Sequence, residues 1–308
     1  MLSKIPVECP RHLLEMASEY PPVTAAVVGS HSLSTLESIK LALTHQLINP
    51  ILIGHRDVTF KLAASIGLDP EPFPFIDAQT DSEAALEGAV LAREGEVGMV
   101  IKGQIHSEDL MHPLVSRTTG IRTGRRLTHL FHMTLPGSDR ALMISDGALN
   151  VAPDLKTRQE IIINAVDLAR AIGISSPKVA LLAATESSSE TMPVTIDAAE
   201  LAEWANQNID DITAAGPLAF DNIVSCEAAK IKGIESPVAG SADIVVVPTI
   251  ETGNALSKMM VYFMSACAAG IVLGGKVPVV LTSRADPAPA RLASIAIATL
   301  LANNQANE

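Results

Sequence analysis

The sequence predicts an α/β protein built on mostly parallel sheets, and three observations carry that expectation. Short runs rich in Val and Ile alternate with amphipathic stretches of helical length. The chain has 308 residues, more than the usual single domain, so two domains are the working count. Apolar residues make up 48% and aromatics only 3%, which points to cores assembled from Val, Ile, Leu and Ala.

Taken in order, the predicted strands are TAAVVG, NPILIG, EVGMVIKG, LTHLFHMTLP, RALMISDG, PKVALLAATE, ADIVVVPTI and KVPVVLTS. Helices are expected between most of them. SEAALEGAVLAREG and TRQEIIINAVDLARAIG place apolar residues at three-to-four spacing, and the second stops at a Gly before a new strand. The segment from Asn254 is expected to run as a helix through VYFMSACAAG, its methionines serving as core packing. Asp286 followed by Pro287 reads as an N-cap with Pro at the first helical position, opening the helix PAPARLASIAIATLLANN. No repeat, linker or low-complexity segment interrupts the pattern.

A formal net charge of −12 argues against a nucleic-acid-binding surface, so an anionic ligand must be met by a local patch. Cys9, Cys226 and Cys267 lie far apart with no CxxC spacing, which suggests neither zinc nor a disulfide framework. The start MLSKIPVECPRHLL lacks the apolar core of a signal peptide, and no apolar run of about 18 residues is present. A cytoplasmic protein that does not associate with membranes is expected.

In open parallel sheets ligands collect at the carboxyl ends of strands. Polar residues found just there are Lys102, Asp146, Glu186, the group Glu251, Asn254 and Lys258, and the group Ser283, Arg284 and Asp286. Arg284 offers a planar fork suited to a phosphoryl group, and Pro287 and Pro289 remove amide donors that would otherwise share that work. Asp286 is open to two readings, helix cap and proton acceptor, which do not exclude each other. Asn254 and Lys258 stand one helical turn apart and share a face, although Asn254 could equally cap its helix. Arg117, Arg122, Arg125 and Arg126 form a candidate polyanion clamp, with solvated surface arginines as the other reading. His106, His112 and His129 match no metal-binding spacing, and no metal is expected. GxxxxGK[ST] and GxSxG are absent, and no GxGxxG follows a strand, which lowers the expectation of a nucleotide triphosphatase, a dinucleotide enzyme or a serine hydrolase.

The ordered motifs VIKGQIH, GIRTGRRLTH, ISDGALNVAPD, PKVALLAATE, GPLAFDN, SPVAGSADIVVVPTIETGNALSK and VPVVLTSRADP resemble the phosphate acetyl/butyryltransferase family, from about Pro50 to the C-terminus. KG after the strand, RTG, NVAPD and LTSRAD look closer to the butyryltransferase branch. The resemblance implies two three-layer α/β domains of the isocitrate/isopropylmalate dehydrogenase type with a cleft between them. Domain I would comprise 1–134 and 270–308, and domain II 135–269. A homodimer or higher homo-oligomer is also implied. Carried residue by residue, the family's Ser-Arg pair falls on Ser283 and Arg284, its GN…K motif on Gly253, Asn254 and Lys258, and its KG loop on Lys102 and Gly103. Arg122 and Thr128, from GIRTGRRLTH, join the substrate-binding set. The acetyltransferases' thiol-activating Asp aligns without gaps on Ala290, leaving Asp286 as the nearest carboxylate. His112 stands where relatives often carry Arg.

The implied reaction is acyl-CoA + phosphate = acyl phosphate + CoA, by direct transfer of a short acyl group in a ternary complex. CoA is then a substrate, and no separate cofactor is expected. In the direction that consumes acyl phosphate, a base takes the thiol proton, because a free thiol near about pKa 8.5 is mostly protonated at neutral pH. Ser283 and Asn254 would stabilise the oxyanion, and Arg284 with Lys258 would hold the departing phosphate. The competing expectations are a non-catalytic CoA or acyl-phosphate binding protein and a decarboxylating dehydrogenase. The latter would need an Asp metal site and a nicotinamide pocket that the sequence does not display.

Overall fold

The computed structural model describes residues 2–138 and 140–305. In chain order the first elements are α1 Arg11–Ser18, β1 Val23–Val28, α2 Leu33–Thr44, β2 Ile48–Gly54, α3 Arg56–Ser65, β3 Phe75–Asp77, α4 Asp81–Glu94, β4 Met99–Lys102 and α5 Ser107–Leu114. Then come β5 Thr128–Thr134, β6 Ala141–Ser145, α6 Leu155–Ala171, β7 Lys178–Leu182, α7 Pro193–Asn208, β8 Thr213–Leu218, α8 Phe220–Val224, α9 Cys226–Ile231, β9 Ile244–Val246 and α10 Ile250–Met264. The chain closes with β10 Cys267–Leu273, β11 Val279–Val280 and α11 Ala288–Gln305. The fold is α/β. Among the described residues no helix is long and apolar enough to cross a membrane.

Two compact units divide these elements. A flanking unit comprises Pro6–Leu127 and the chain from Cys267 onward; an inserted unit comprises Thr128–Ala266 with the first residues up to Ile5. The resemblance puts the turnover points at 134 and 270. In the structure β5 pairs antiparallel with β6, Leu130 opposite Ser145 and Thr134 opposite Ala141, and that pairing carries the whole strand into the inserted unit.

In the flanking unit the strand order is β3-β2-β1-β4-β11-β10. All neighbours are parallel except β10, which meets β11 with Ile271 opposite Val280. Buried Val and Ile side chains fill β1, β4, β10 and β11, the near-continuous apolar character expected of strands covered on both faces. A capping box, in which Thr80 accepts from Glu83 N–H and the Glu83 carboxylate reaches back to Thr80 N–H, starts α4. Helix α11 is buried along most of its length, from Ala290 to Leu301, and so sits inside the unit rather than on its surface.

The inserted unit holds β5-β6-β9-β7-β8, parallel apart from the β5–β6 pair. Two readings of this region and its exit need correcting. The helix expected to continue through VYFMSACAAG stops at Met264, because Ser265 adopts a left-handed backbone (φ 54°), and CAAGIVL becomes the fully buried strand β10. Its small residues, which carry no strand signal of their own, are there because this strand is covered on both faces. The helix predicted to begin at Pro287 begins at Ala288, with the Pro287 carbonyl accepting from Arg291 N–H at 3.2 Å.

Candidate active site

Lys102 is the last residue of β4. In register it lies beside Val28 at the end of β1, while Ile101 pairs with Val280 of β11. Three strand ends therefore come together at this point, and the loop after β11 starts one short step away. Lys102 itself is only 2% exposed. The next residue explains why the KG pair is a pair: Gly103 N–H donates to the Val28 carbonyl at 2.7 Å, and a Cβ on Gly103 would collide with the Gly29 carbonyl oxygen. Only glycine lets the chain leave β4 so close to the end of β1.

The loop Ser283–Pro287 folds back on itself. Asp286 Oδ2 accepts from Ser283 N–H at 2.7 Å, and Asp286 N–H donates to the Ser283 carbonyl at 3.1 Å. Beneath it lies a residue the sequence reading did not single out. Arg291, in the first turn of α11 and only 4% exposed, donates from Nε to the Asp286 carbonyl (3.2 Å), and from one terminal nitrogen to the Ser283 (3.1 Å) and Arg284 (3.4 Å) carbonyls. A buried guanidinium thus satisfies three carbonyls of the tight loop and fixes the direction in which Ser283 and Arg284 leave it. The available signal is that Arg291 is the one charged residue in α11.

Lys102, Ser283 and Arg284 open onto one pocket of about 660 Å³, completed by His106, Glu108 and Asp109 at the start of α5. Arg284 Nη2 lies 3.1 Å from His106 Nδ1. Burial pushes the Lys102 ammonium down to about 8, helped by the positive charges of Arg291 and Arg284 and opposed by Asp286 and Asp81. Burial also lowers Arg291, against the pull of Asp286. Lys102 and Arg284 bring positive charge to one wall of the cavity, while Glu108 and Asp109 at the start of α5 line it as well.

The inserted unit carries the other half of the predicted set. Asp146, immediately after β6, is buried, and its carboxylate accepts from the backbone N–H groups of His129, Ala148 and Leu149 and from Asn150 Nδ2 at 2.7–3.0 Å. The loop so fixed presents the Gly147 carbonyl, which accepts from Asn254 Nδ2 at 3.3 Å. Asn254 is the fifth residue of α10, so it is not that helix's cap, and Lys258 follows one turn later, half-buried. At Gly253 a Cβ would collide with the Asp146 carbonyl oxygen, so glycine sets how closely α10 approaches the loop. Thr128 is fully buried and accepts from Asn164 Nδ2 at 2.9 Å, which commits its hydroxyl to the packing of β5 on α6. Glu186 pairs with Asn222 Nδ2 and with Lys232 Nζ (3.0 Å).

Arg122 bridges to Gly275 through its backbone, and Arg117, Arg122, Arg125 and Arg126 are exposed. Among the described residues no group of three or more His, Cys, Asp or Glu side chains is arranged to hold a metal ion.

Comparison with known proteins gives the arrangement a context. The family model described as phosphate acetyl/butaryl transferase matches residues 78–299. A phosphate acetyltransferase of Rhizobium meliloti is 45% identical over 257 residues, covering 83% of this chain and 81% of the relative. A phosphate butyryltransferase of Clostridium acetobutylicum is 37% identical over 281 residues, covering 91% and 93%. The crystal structure of a branched-chain phosphotransacylase from Enterococcus faecalis superposes with a TM-score of 0.79 at 29% identity, covering 91% of this chain and 99% of that one. Each of these names denotes a phosphate acyltransferase, and that is the class of enzyme the comparisons define. This chain belongs to the phosphate acetyl/butyryltransferase family.

Proposed function

We propose that this phosphate acyltransferase moves a short acyl group between CoA and inorganic phosphate by direct transfer in a ternary complex, with the phosphoryl group seated in the Lys102–Arg284 pocket. The observation that carries this reading is the buried Lys102 and the Arg284 guanidinium facing the same cavity at the carboxyl ends of β4 and β11. Arg284 can meet a phosphoryl group with two donors at once. Ser283, held by Asp286 and Arg291, is positioned to donate to the oxygen that becomes negative when the acyl carbonyl is attacked. Gly103 keeps the ends of β1 and β4 close together beside the pocket. For Gly253, Asn254 and Lys258, and for Arg122, participation in substrate binding rests on the sequence pattern. Holding two substrates in line supplies much of the rate in such a reaction, with CoA a substrate and no separate cofactor required.

Relatives of both the acetyl and the butyryl branch match this chain. The test is a panel of acyl-CoA esters from two to eight carbons, followed by thiol release with and without phosphate. Phosphate-dependent release with one preferred chain length is expected. Release that ignores phosphate would overturn the reading.

A further inference from the structure

We propose that His106 is a positioning residue of the phosphate pocket: its neutral imidazole holds the Arg284 guanidinium in the orientation that receives a phosphoryl group. The inference rests on the acyl-transfer reading above. It starts from how little else restrains that side chain. Asp286 and Arg291 fix the backbone of the loop after β11, but Arg284 itself is exposed. Among the described residues its guanidinium hydrogen-bonds His106 Nδ1 at 3.1 Å and forms no ion pair, although Glu108 and Asp109 line the same pocket. An unheld arginine spreads over its rotamers, and a ligand must then order it.

The backbone of His106 suits it to this task. Two residues earlier Gln104 N–H donates to the Gly29 carbonyl at 2.7 Å, and Ile105 between them is buried, so the segment leaving β4 is anchored. On the other side the His106 carbonyl accepts from Leu110 N–H at 3.1 Å, which makes His106 the N-cap residue of α5. That position favours Ser, Thr, Asp or Asn, whose side chains bond the first helical amides. The His106 side chain makes no such bond. Its imidazole serves Arg284 instead of its own helix.

The contact also fixes the tautomer. Arginine has donors and no acceptor, so Nδ1 accepts and the proton of the neutral ring stands on Nε2. A neutral acceptor orients the guanidinium without cancelling its charge. A carboxylate in the same place would compete with the ligand for it. The gain is in phosphate affinity, because one long side chain is ordered before phosphate arrives.

The experiment measures phosphate-dependent thiol release from acyl-CoA by the full chain, with phosphate and acyl-CoA varied separately. If wild type shows none, the acyl-transfer reading fails; the following outcomes concern His106 alone. His106→Ala should raise KM for phosphate about three- to tenfold, while kcat and KM for acyl-CoA each change by less than about twofold. The thermal midpoint should stay in place, because the imidazole caps nothing. His106→Asn sets a carboxamide oxygen near the position of Nδ1 and removes the Nε2 proton, so KM for phosphate should return to within about twofold of wild type. An unchanged phosphate KM in His106→Ala overturns the proposal, as does a loss confined to kcat or shared equally by both substrates. So does an Asn variant as poor as Ala, which would assign the effect to Nε2 rather than to Arg284.

Discussion

The two units treat buried charge in opposite ways at the ends of their strands. In the inserted unit Asp146 is buried after β6, and four donors, three from the backbone, converge on its carboxylate. In the flanking unit Lys102 is buried after β4 with two guanidiniums near it, and burial and repulsion displace its proton affinity. The first charge is spent on holding a loop, and nothing further is needed to stabilise it. The second faces a cavity. Buried charge whose partners are all internal marks architecture, while buried charge that the protein destabilises beside a cavity marks a place where a ligand completes the electrostatics.

Removing the pocket-lining charge of Arg284 should have the largest effect on activity and little on folding. Arg284 is exposed, and its terminal nitrogen reaches His106. Arg284→Ala is expected to lower kcat/KM for phosphate-dependent thiol release by about 10²-fold or more, with the thermal midpoint nearly unchanged. Near-normal turnover would separate Arg284 from the phosphoryl group and leave the contrast between the units without its functional half.

Asp146→Ala is the mirror experiment. It strands three backbone N–H groups and the Asn150 carboxamide in a buried loop, so about 3 kcal/mol of stability or more should be lost. Denaturant titration measures this. Stability within a few tenths of wild type would show that the carboxylate is not what holds the loop.

Arg291 tests whether a charge can do both jobs. Its guanidinium satisfies the carbonyls of Ser283, Arg284 and Asp286 and also adds positive charge beside Lys102. Arg291→Met should lose about 2 kcal/mol from the stranded carbonyls and should also move the titration of Lys102, followed by NMR, upward, because a cation that favoured the free amine is gone. A loss of stability without the upward move would make Arg291 architecture alone.

Much of this was legible in the sequence because strand ends announce themselves. Lys102, Ser283 and Arg284 each follow a Val/Ile run, and the structure places all three on one pocket. Arg291 escaped because it sits in a helix whose neighbours are all apolar, where one arginine reads as a tolerated exception. It becomes meaningful only when the loop folds back over the helix start and aims three carbonyls at it. Gly103 was legible as part of a motif but not for its reason, which is a backbone contact with Gly29 made across 74 residues of chain by the parallel pairing of β1 and β4. Strand β10 is hidden for a related cause: Cys267–Gly270 carries two alanines and no β-branched residue to announce a strand, and burial on both faces decides the matter. Thr128 shows the converse. It stands in a motif associated with binding, yet its hydroxyl is enclosed with Asn164.

The smallest expected effect is the most discriminating. Asn at position 286 can still accept from the Ser283 amide through its carboxamide oxygen, so Asp286→Asn should keep the loop and cost under about 1 kcal/mol. What it removes is a negative charge that favours the protonated form of Lys102. With that charge gone the amine holds its proton less tightly, and the titration of Lys102, followed by NMR, should move to lower pH while the rate falls no more than about tenfold. If Asp286 were itself the thiol base, the same variant would lose about 10²- to 10⁴-fold at every pH. The size of the rate loss therefore decides between a carboxylate that tunes the neighbouring amine and one that takes the proton itself.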